Sequence, residues 1–308
     1  MTKSVFIDGE HGTTGLQIAE RLAARDDINL LSLAMEDRRD NEKRTTMLRD
    51  ADIAILCLPD DAAREAVALA EGSGTRFIDA STAHRIADGW VYGFAESEPG
   101  QREKIIHAQN VTNPGCYSTG AIALLRPLTL AGLLPSTYPV TINAVSGYSG
   151  GGKQMIAQME DAKRDDAIEA PYFAYALSLK HKHVPEIKVR SGLTLDPIFT
   201  PNVGRFAQGM LVNIPLHTDA MNGASRETIH QALAAHYAGQ DIVEIVPNDV
   251  TDGLARIDPT EMAGTDRMKL YVCAREDGKQ INLIASLDNL GKGASGAAVQ
   301  NLNLMLQA

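Results

Sequence analysis

Cys116 is the side chain in this sequence whose position best suits covalent chemistry. It lies in the segment 113–120 (NPGCYSTG), where a Pro-Gly turn directly precedes a run with helical periodicity. At a helix N-terminus the dipole and the free backbone amides stabilise a thiolate, which is the nucleophilic form of cysteine. The same amides can stabilise the oxyanion that forms when a thiolate attacks a carbonyl carbon. The pattern predicts a catalytic nucleophile at Cys116.

The other two cysteines, Cys57 and Cys273, lie inside apolar, strand-like runs and are predicted to be unreactive core residues. Three cysteines in 308 residues do not indicate a disulfide framework. The chain also runs from its first residues straight into a predicted strand, so we expect no signal peptide. These observations favour a reduced, cytoplasmic protein.

Three glycines, Gly9, Gly12 and Gly15 (GEHGTTG), stand between a predicted strand and a predicted helix. Glycine at these points lets the backbone turn tightly and brings the amides of a helix N-terminus to a pyrophosphate. Thr13 and Thr14 can add hydroxyl donors or cap the helix. The pattern predicts a dinucleotide site, although its spacing differs from the commoner G-x-G-x-x-G. A strand–helix turn without a ligand is the alternative.

Two arginines, Arg38 and Arg39, follow the second predicted strand, where a dinucleotide-binding protein holds the adenosine ribose. Guanidinium groups at this point suit a 2′-phosphate, so the pair favours NADP as the cofactor. The alternative is a charged loop that faces solvent and binds nothing.

Strand and helix patterns alternate through the first third of the chain. The run 52–58 (DIAILCL) is apolar almost throughout, which is typical of a strand covered on both faces. The alternation predicts an α/β fold with a parallel, doubly wound, Rossmann-type sheet. We assign residues 1–115, joined by a C-terminal amphipathic helix at about 289–308, to a dinucleotide-binding domain. The predicted strands are 4–8, 28–33, 52–58 and 76–79, and the predicted helices are 15–25, 41–49 and 60–71.

The remainder of the chain has a different pattern. Its last two predicted strands flank Asp277-Gly278, a dipeptide that favours a tight hairpin turn. Residues 116–288 are therefore predicted to form a second, catalytic and substrate-binding α+β domain on a mostly antiparallel sheet. The predicted elements are a helix at 117–131, strands at 140–145, 208–216, 268–275 and 280–287, and a Ser/Gly-rich loop at 146–152.

The composition argues against several classes of protein. The 308 residues carry a formal charge of −10, whereas nucleic-acid binding selects a basic surface. The apolar runs are too short to span a membrane. Apart from His181 and His183 the histidines are scattered, without the paired Cys or carboxylates of a metal-ligand pattern. We predict that the protein binds no nucleic acid, membrane or metal.

Five segments together resemble the N-acetyl-γ-glutamyl-phosphate reductases, and the resemblance extends over essentially the whole chain. The length and glycine pattern are similar to the shorter type of this family. Thr112 and Ser118 depart from the usual signature, which has a small residue at the first position and Ala, Val or Pro at the second. The segments are VFIDGEHGTTGL near the N-terminus, FIDASTAHR at 77–85, NPGCYSTG, HKHVPEI at 181–187 and DNLGKGASGAAVQNLN at 288–303.

The resemblance implies NADP-dependent reduction of N-acetyl-γ-glutamyl phosphate in arginine biosynthesis. Cys116 would attack the acyl phosphate to form a thioester, which hydride from NADPH would reduce to the semialdehyde. His181 and His183 are the implied acid–base candidates. Their i, i+2 spacing predicts that they point in different directions, so that only one faces Cys116. We favour His181, because a helix is predicted to start near Val184 with His183 close to its cap.

The resemblance also implies a cofactor contact at Ser81 and a substrate contact at Asn113. Arg205 is a candidate clamp for the substrate carboxylate or phosphate, since a guanidinium binds either group in a bidentate manner. Lys292 is a second candidate for this role. The alternative for both residues is an ordinary charged side chain on the protein surface. Residues 146–153 resemble the family's loop between substrate and nicotinamide.

Two other functions fit part of the pattern. Aspartate-semialdehyde dehydrogenases share the architecture and the cysteine chemistry, but the His-x-His-x-Pro-Glu-Ile segment is associated with the glutamyl-phosphate enzymes. A non-catalytic dinucleotide-binding regulator would keep the fold without a reactive thiol. We expect a small-molecule acyl phosphate as the ligand and a homo-oligomer, either a dimer or a tetramer, as the assembly.

Overall fold

The computed structural model describes residues 2–308, and their contacts separate into two units. The first unit contains the residues up to Ala95 together with Gly100–Gly115 and Ala294–Ala308. The second unit contains Glu96–Pro99 and Cys116–Gly293. Each unit is built on its own β-sheet.

Alternating strands and helices form the first unit. Its elements are β1 (Lys3–Asp8), α1 (Thr13–Leu22), β2 (Ile28–Leu31), α2 (Asn41–Asp50), β3 (Ile53–Leu56), α3 (Asp60–Leu69), β4 (Arg76–Asp79), β5 (Val91–Tyr92), α4 (Gln101–Ile106) and β6 (Asn110–Thr112). The six strands pair in the order β2-β1-β3-β4-β6-β5, and every pairing is parallel. The predicted parallel sheet is confirmed.

Neighbouring residues of β1 enter two different cores. Val5 and Ile7 pack with Leu22 of α1 on one face of the sheet. Phe6, which points to the other face, packs with Leu48 of α2. Helices therefore cover both faces, as a doubly wound sheet requires, and the strands are apolar almost without interruption because neither face meets water.

A larger, mixed sheet carries the second unit. Its elements are α5 (Cys116–Leu130), β7 (Thr141–Gly147), α6 (Gly152–Glu160), β8 (Tyr172–Ala174), α7 (His183–Ser191), β9 (Ile198–Gly204), β10 (Met210–His217), α8 (Arg226–His236), β11 (Val243–Ile245), α9 (Asn248–Asp252), β12 (Met268–Ala274) and β13 (Gln280–Leu287). The strand order is β11-β12-β13-β10-β7-β9-β8. Only β11–β12 and β7–β9 are parallel pairs, so the mostly antiparallel sheet is confirmed.

Helix α5 lies close against this sheet. Its residues from Tyr117 to Leu125 are all buried. Gly120 permits the close approach, because a side-chain carbon at this position would lie 2.8 Å from Cγ2 of Val212 on β10.

Strand β10 pairs with β13, and the predicted hairpin between β12 and β13 is confirmed, with Gly278 at φ 69° in the turn.

The last helix, α10 (Gly296–Met305), packs in the first unit, where Leu302 and Met305 join the core behind β1. It differs from the predicted amphipathic helix at 289–308 in two respects. The preceding residues Gly291–Ser295 form a π-helical turn. Most of α10 is buried, because the sheet and neighbouring helices of its unit cover it, so the prediction of an amphipathic helix is wrong.

The Ser/Gly-rich stretch predicted as a loop is also mostly regular. Ser146 and Gly147 end β7, residues Tyr148–Gly151 form a 3₁₀ helix, and Gly152 begins α6. Glycine is needed at 147 for a packing reason, because a side chain there would overlap the carbonyl oxygen of Ala207. Across residues 2–308, no helix is both long and apolar enough to cross a membrane.

Candidate active site

Cys116 is half-buried and is the first residue of α5, one residue before the start of the predicted helix at 117–131. The first turn of α5 carries no acidic side chain. Negative charge on the sulfur at this helix N-terminus therefore meets the positive end of the dipole without opposition from a carboxylate of the same turn. The local structure suits a thiolate nucleophile.

The other two thiols are poorer nucleophiles. Burial raises the pKa of the Cys57 thiol to about 12, and the carboxylates of Asp79 and Asp8 add to the effect. Burial also raises the pKa of Cys273. Both thiols stay protonated near neutral pH, so a reagent that needs a thiolate reacts slowly with them.

The two histidine rings meet rather than diverge, so the prediction that their spacing separates them is wrong. Their centroids are 4.7 Å apart, and they lie 6.1 Å (His181) and 5.9 Å (His183) from the ring of Tyr117, the residue after the cysteine. The cause is a tight turn before α7, in which the backbone N–H of His183 donates to Nδ1 of His181 at 3.1 Å. This hydrogen bond folds the His181 ring back over the start of the helix.

Tyr117 forms a rigid surface beside these rings. Its hydroxyl donates to the carbonyl oxygen of Asn202 at 2.9 Å, and its ring packs 5.2 Å from that of Phe199. Burial raises the pKa of Tyr117 far above its ordinary range. The phenol therefore stays protonated at neutral pH. Its role is to pack against the neighbouring rings and to donate the hydrogen bond to Asn202.

A buried hydrogen bond joins the cysteine helix to the histidine helix. The hydroxyl of Ser118 on α5 donates to Oε2 of Glu186 on α7 at 2.8 Å. Both side chains are almost completely buried. The bond fixes the start of α7, and with it His183, relative to the start of α5.

The glycine turn of the first unit has the shape of a phosphate cradle. Gly9 has φ 91°, and a side chain there would overlap the carbonyl oxygen of Cys57. A side chain at Gly15 would overlap the carbonyl oxygen of Gly9. Gly12 differs, because it is the N-cap of α1 with φ −75° and makes no side-chain capping bond. The turn therefore needs glycine at 9 and 15 for its own geometry, while Gly12 leaves the helix N-terminus open.

Thr13 and Thr14 begin the first turn of α1, directly after this open cap. The hydroxyl of Thr13 is buried and has no hydrogen-bond partner within residues 2–308. A buried, unsatisfied hydroxyl costs free energy unless a ligand supplies its partner. Together with the open N-terminus of α1, this atom fits the pyrophosphate of a dinucleotide.

The arginines predicted to bind a 2′-phosphate lie in the turn between β2 and α2. Arg38 and Arg39 are both exposed, and Arg38 donates to the carbonyl oxygen of Met35 at 2.8 Å. In the same region Glu10 of the glycine turn accepts a hydrogen bond of 2.7 Å from Ser32. The exposed guanidinium groups can turn towards a ligand without loss of a buried contact.

Ser81 belongs to a buried cluster after β4. Its hydroxyl donates to Oδ2 of Asp79 at 2.8 Å, and its backbone N–H donates to Oδ1 of the same carboxylate at 2.9 Å. Nδ1 of His84 lies 2.6 Å from Oδ2 of Asp79, and the His84 ring stacks on Trp90. In this structure Ser81 has an intramolecular role at the end of β4, and its contact with a cofactor stays a prediction.

The predicted substrate residues Asn113 and Arg205 make intramolecular contacts. The Asn113 amide donates to the carbonyl oxygen of Ala294 at 2.9 Å and accepts from Asn301 at 3.0 Å. Arg205 is exposed, but its guanidinium donates to the carbonyl oxygens of Met159 and Ile168. These contacts anchor neighbouring chain segments, and a role in substrate binding stays a prediction for both residues.

Lys292, the other candidate clamp, is not on the surface. Its ammonium group forms an ion pair with Glu96 at 2.6 Å, and the two side chains are 1% and 2% exposed.

Among residues 2–308, no group of three or more His, Cys, Asp or Glu side chains is placed to hold a metal ion.

Comparison with known proteins agrees with this arrangement. Residues 4–105 match the family model described as semialdehyde dehydrogenase, NAD binding domain, and residues 116–289 match the one described as semialdehyde dehydrogenase, dimerisation domain. The chain is 61% identical over 310 residues to the N-acetyl-gamma-glutamyl-phosphate reductase of Rhizobium meliloti (strain 1021), with 100% of both chains covered. It is 60% identical to the protein of the same name from Brucella ovis, with 99% of both covered.

The chain belongs to the N-acetyl-gamma-glutamyl-phosphate reductase family. Solved structures with a similar fold include aspartate semialdehyde dehydrogenase II from Vibrio cholerae, with a TM-score of 0.76 and 18% identity over 100% of this chain and 99% of that one. The NADP-bound aspartate semialdehyde dehydrogenase from Candida albicans has a TM-score of 0.67 and 14% identity over 100% and 99%. At these identities the likeness concerns the fold alone.

The sequence did not predict a role for two buried residues of this family member. Glu186 stood out only as part of the HKHVPEI segment, and Ser118 only as a departure from the usual signature. Their hydrogen bond joins segments 68 residues apart, which no local pattern indicates. The nearest signal was a polar residue at 118, on a helix otherwise apolar enough to be buried.

The glycine turn gives the first testable prediction. We expect Gly12→Ala to weaken dinucleotide binding at least about tenfold, which is about 1.4 kcal/mol. The φ of −75° suits alanine, and the nearest protein atom would be the Gly9 carbonyl oxygen at 3.3 Å, a contact that a small shift of this oxygen relieves. The added methyl should therefore act mainly against a pyrophosphate at the open helix N-terminus. Fluorescence titration measures the affinity, and the midpoint of thermal unfolding should stay close to that of the wild type.

Gly253→Ala is the matched control, because Gly253 also has a negative φ of −79° and a nearest contact of 3.4 Å. It lies in the second unit and should leave the affinity unchanged. A Gly12→Ala protein that binds the dinucleotide as tightly as the wild type would show that the turn does not hold the pyrophosphate.

Proposed function

We propose that this protein reduces N-acetyl-γ-glutamyl phosphate, with NADPH, to N-acetylglutamate semialdehyde and phosphate, a step of cytoplasmic arginine biosynthesis. The observation that carries the proposal is the position of the Cys116 thiol at the first residue of α5, in a chain that matches the named reductases along its full length. The two histidine rings beside Tyr117 supply the acid–base groups that such a reaction needs.

Acylation is the first chemical step. The Cys116 thiolate attacks the carbonyl carbon of the acyl phosphate, and the amides at the start of α5 stabilise the negative charge that develops on the carbonyl oxygen. The tetrahedral adduct collapses, the C–O bond to phosphate breaks, and phosphate leaves with the bonding electron pair. A thioester on Cys116 remains.

Reduction of the thioester completes the cycle. When bound, the reduced dinucleotide supplies the hydride for the carbonyl carbon. The hemithioacetal that forms on Cys116 then breaks its C–S bond, which releases the semialdehyde and returns the sulfur as a thiolate. A histidine near the sulfur stabilises this thiolate and exchanges the proton that the oxygen gains and loses.

We assign the proton-handling role to His181. Its Nδ1 accepts the backbone N–H of His183, so in the neutral ring the proton resides on Nε2. The Nε2–H group is then a donor, and Nε2 lies 3.4 Å from the hydroxyl oxygen of Tyr175. In the reaction a thiolate or an alkoxide would replace this weak acceptor. His183 is 4% exposed and begins α7. We assign it a structural role, in which it stabilises the turn that carries His181.

The dinucleotide is proposed to lie on the open N-terminus of α1, with its pyrophosphate at Gly12, Thr13 and Thr14. Arg38 and Arg39 would bind the 2′-phosphate that distinguishes NADP from NAD. The support for this placement is the buried Thr13 hydroxyl and the exposure of both guanidinium groups.

We also propose that the protein works as a homo-oligomer, a dimer or a tetramer. The family model that matches residues 116–289 is described as a dimerisation domain. In the same unit several large apolar side chains are exposed, and Leu177 is 80% exposed. Exposed apolar groups of this kind are typical of an association surface. The exposed apolar side chains of this unit include Tyr172, Leu177, Leu179 and Ile198.

The nucleophile is tested by Cys116→Ser. We expect kcat for reduction of N-acetyl-γ-glutamyl phosphate to fall by roughly 10³-fold or more, because an un-ionised hydroxyl is a far weaker nucleophile than a thiolate. Dinucleotide affinity should be nearly unchanged. Iodoacetamide should modify only Cys116 at neutral pH, since the pKa values of Cys57 and Cys273 are raised, and prior incubation with acyl phosphate should protect it.

Parallel assays with β-aspartyl phosphate separate this function from aspartate-semialdehyde dehydrogenase. Dinucleotide binding with no turnover of either acyl phosphate and no reactive thiol would instead indicate a regulator. A serine variant that keeps most of the activity would end the thioester mechanism.

Cofactor choice is tested by replacement of both Arg38 and Arg39 with Ala. Loss of a charge-assisted hydrogen bond costs about 1.5–3 kcal/mol, so KM for NADPH should rise roughly tenfold or more. KM for NADH should hardly change. Equal use of NADPH and NADH by the wild type would refute the assignment.

The histidines are tested through the rate of Cys116 alkylation as a function of pH. A protonated imidazole near the sulfur favours the thiolate, so its loss should move the titration towards alkaline pH. We expect this shift for His181→Asn and not for His183→Asn. A shift for His183→Asn alone would reverse the assignment within the pair, and unshifted titrations in both would leave α5 as the sole activator.

A further inference from the structure

The chain that follows β13 passes directly against the nucleophile. A side-chain carbon added at Gly293 would lie 2.8 Å from Cβ of Cys116 and 3.3 Å from its Cα. It would also lie 2.9 Å from the carbonyl oxygen of Asp288. Only glycine therefore fits at 293 while Cys116 keeps its position, and the backbone of residue 293 is a wall against the cysteine.

This wall belongs to the π-helical turn Gly291–Ser295. The N–H of Gly293 donates to the carbonyl oxygen of Asp288, five residues earlier, at 2.9 Å. Turns of this width are rare in proteins and occur frequently at functional sites. Since an ordinary α-turn has better hydrogen-bond geometry, the wide turn needs contacts from outside itself to persist.

Two sets of contacts fix the turn. At its start, the carboxylate of Asp288 accepts the backbone N–H groups of Leu290 at 2.9 Å and Gly264 at 2.6 Å. At its centre, the ammonium group of Lys292 pairs with Oε2 of Glu96 at 2.6 Å. Lys292 directly precedes Gly293, so the ion pair holds the residue next to the wall.

The Lys292–Glu96 pair is unusual for its burial. Its side chains are 1% and 2% exposed, whereas those of the neighbouring Arg126–Glu98 pair are 24% and 27% exposed at a similar distance of 2.7 Å. Removing two charges from water costs about as much free energy as their attraction returns, so a fully buried pair is a weak stabiliser of a fold. The main effect of such a pair is to fix the position of the two joined segments relative to each other.

We propose that the Lys292–Glu96 ion pair positions Cys116. It holds the π-turn in the form that presses the backbone of Gly293 against Cβ of the cysteine, and so fixes the direction of the sulfur at the start of α5. Lys292 and Glu96 are thus positioning residues that act through Gly293. The inference deepens the proposed function, on which its kinetic part rests.

The test replaces both charges at once with apolar side chains of similar size, Lys292→Met/Glu96→Leu. A double replacement leaves neither of these two charges buried without the other, so the variant should fold with a thermal midpoint near that of the wild type. We expect kcat to fall about 10²-fold, as for a misplaced reacting group, with KM for the dinucleotide unchanged. The pH titration of Cys116 alkylation should move towards alkaline pH, because the sulfur leaves its optimal position at the α5 amides.

Arg126→Met/Glu98→Leu is the matched control, and it should keep the kcat and the alkylation titration of the wild type. A second route leaves the ion pair intact. Gly293→Ala should lower kcat and shift the titration in the same way, because its methyl group displaces Cys116. This variant decides the matter if the double replacement does not fold.

The proposal is overturned if the folded double variant, or Gly293→Ala, keeps the wild-type kcat and titration, or if the control pair loses activity to the same extent. Failure of the proposed function has a different signature, since the wild type would then not reduce N-acetyl-γ-glutamyl phosphate at all. The alkylation titrations need no substrate, so they decide the positioning role in that case too.

Discussion

Contact between helix α5 and the second sheet is the constraint on which the candidate site depends. The helix is buried from Tyr117 to Leu125, and the absence of a side chain at Gly120 lets it approach Val212 of β10. A helix held along its length by close packing cannot shift or fray at its first turn. Cys116, the Tyr117 ring and the Ser118 hydroxyl therefore take their positions from the packing of apolar residues one to three turns away.

Buried polar contacts then fix the segments that packing alone leaves adjustable. In the first unit, Asp8 ends β1 just before the glycine turn and pairs with Arg44 at 2.9 Å, with side-chain exposures of 6% and 8%. In the second, Glu186 accepts from Ser118 where α7 begins. Each contact lies at the end of a strand or helix, next to a turn that carries residues of the candidate site. Apolar packing is tolerant of small shifts, whereas a hydrogen bond or ion pair at low dielectric is not.

The sequence was informative where structure is local. Apolar runs predicted β1, β3 and β13, and a Pro-Gly turn before a helical pattern predicted the start of α5 to within one residue. The sequence did not indicate contacts that side chains make with backbone groups or with distant segments. The His181 ring is turned back by a backbone N–H two residues away, and Arg205 donates to carbonyl oxygens of another segment. Lys292 finds its carboxylate 196 residues away, which no periodicity encodes.

The position of α10 has a consequence for the order in which the protein is made. One face of the first sheet packs against Leu302 and Met305, and Arg76 of β4 donates to the carbonyl oxygen of Met305 at 2.7 Å. A ribosome synthesises β1 roughly 300 residues before these partners, at about 5–20 residues per second. For at least several seconds the nascent sheet has an uncovered apolar strip, while every residue of the second unit precedes Ala294. The unit that begins the chain is therefore the last to complete its core, and during translation it is the part most exposed to chaperones and to aggregation.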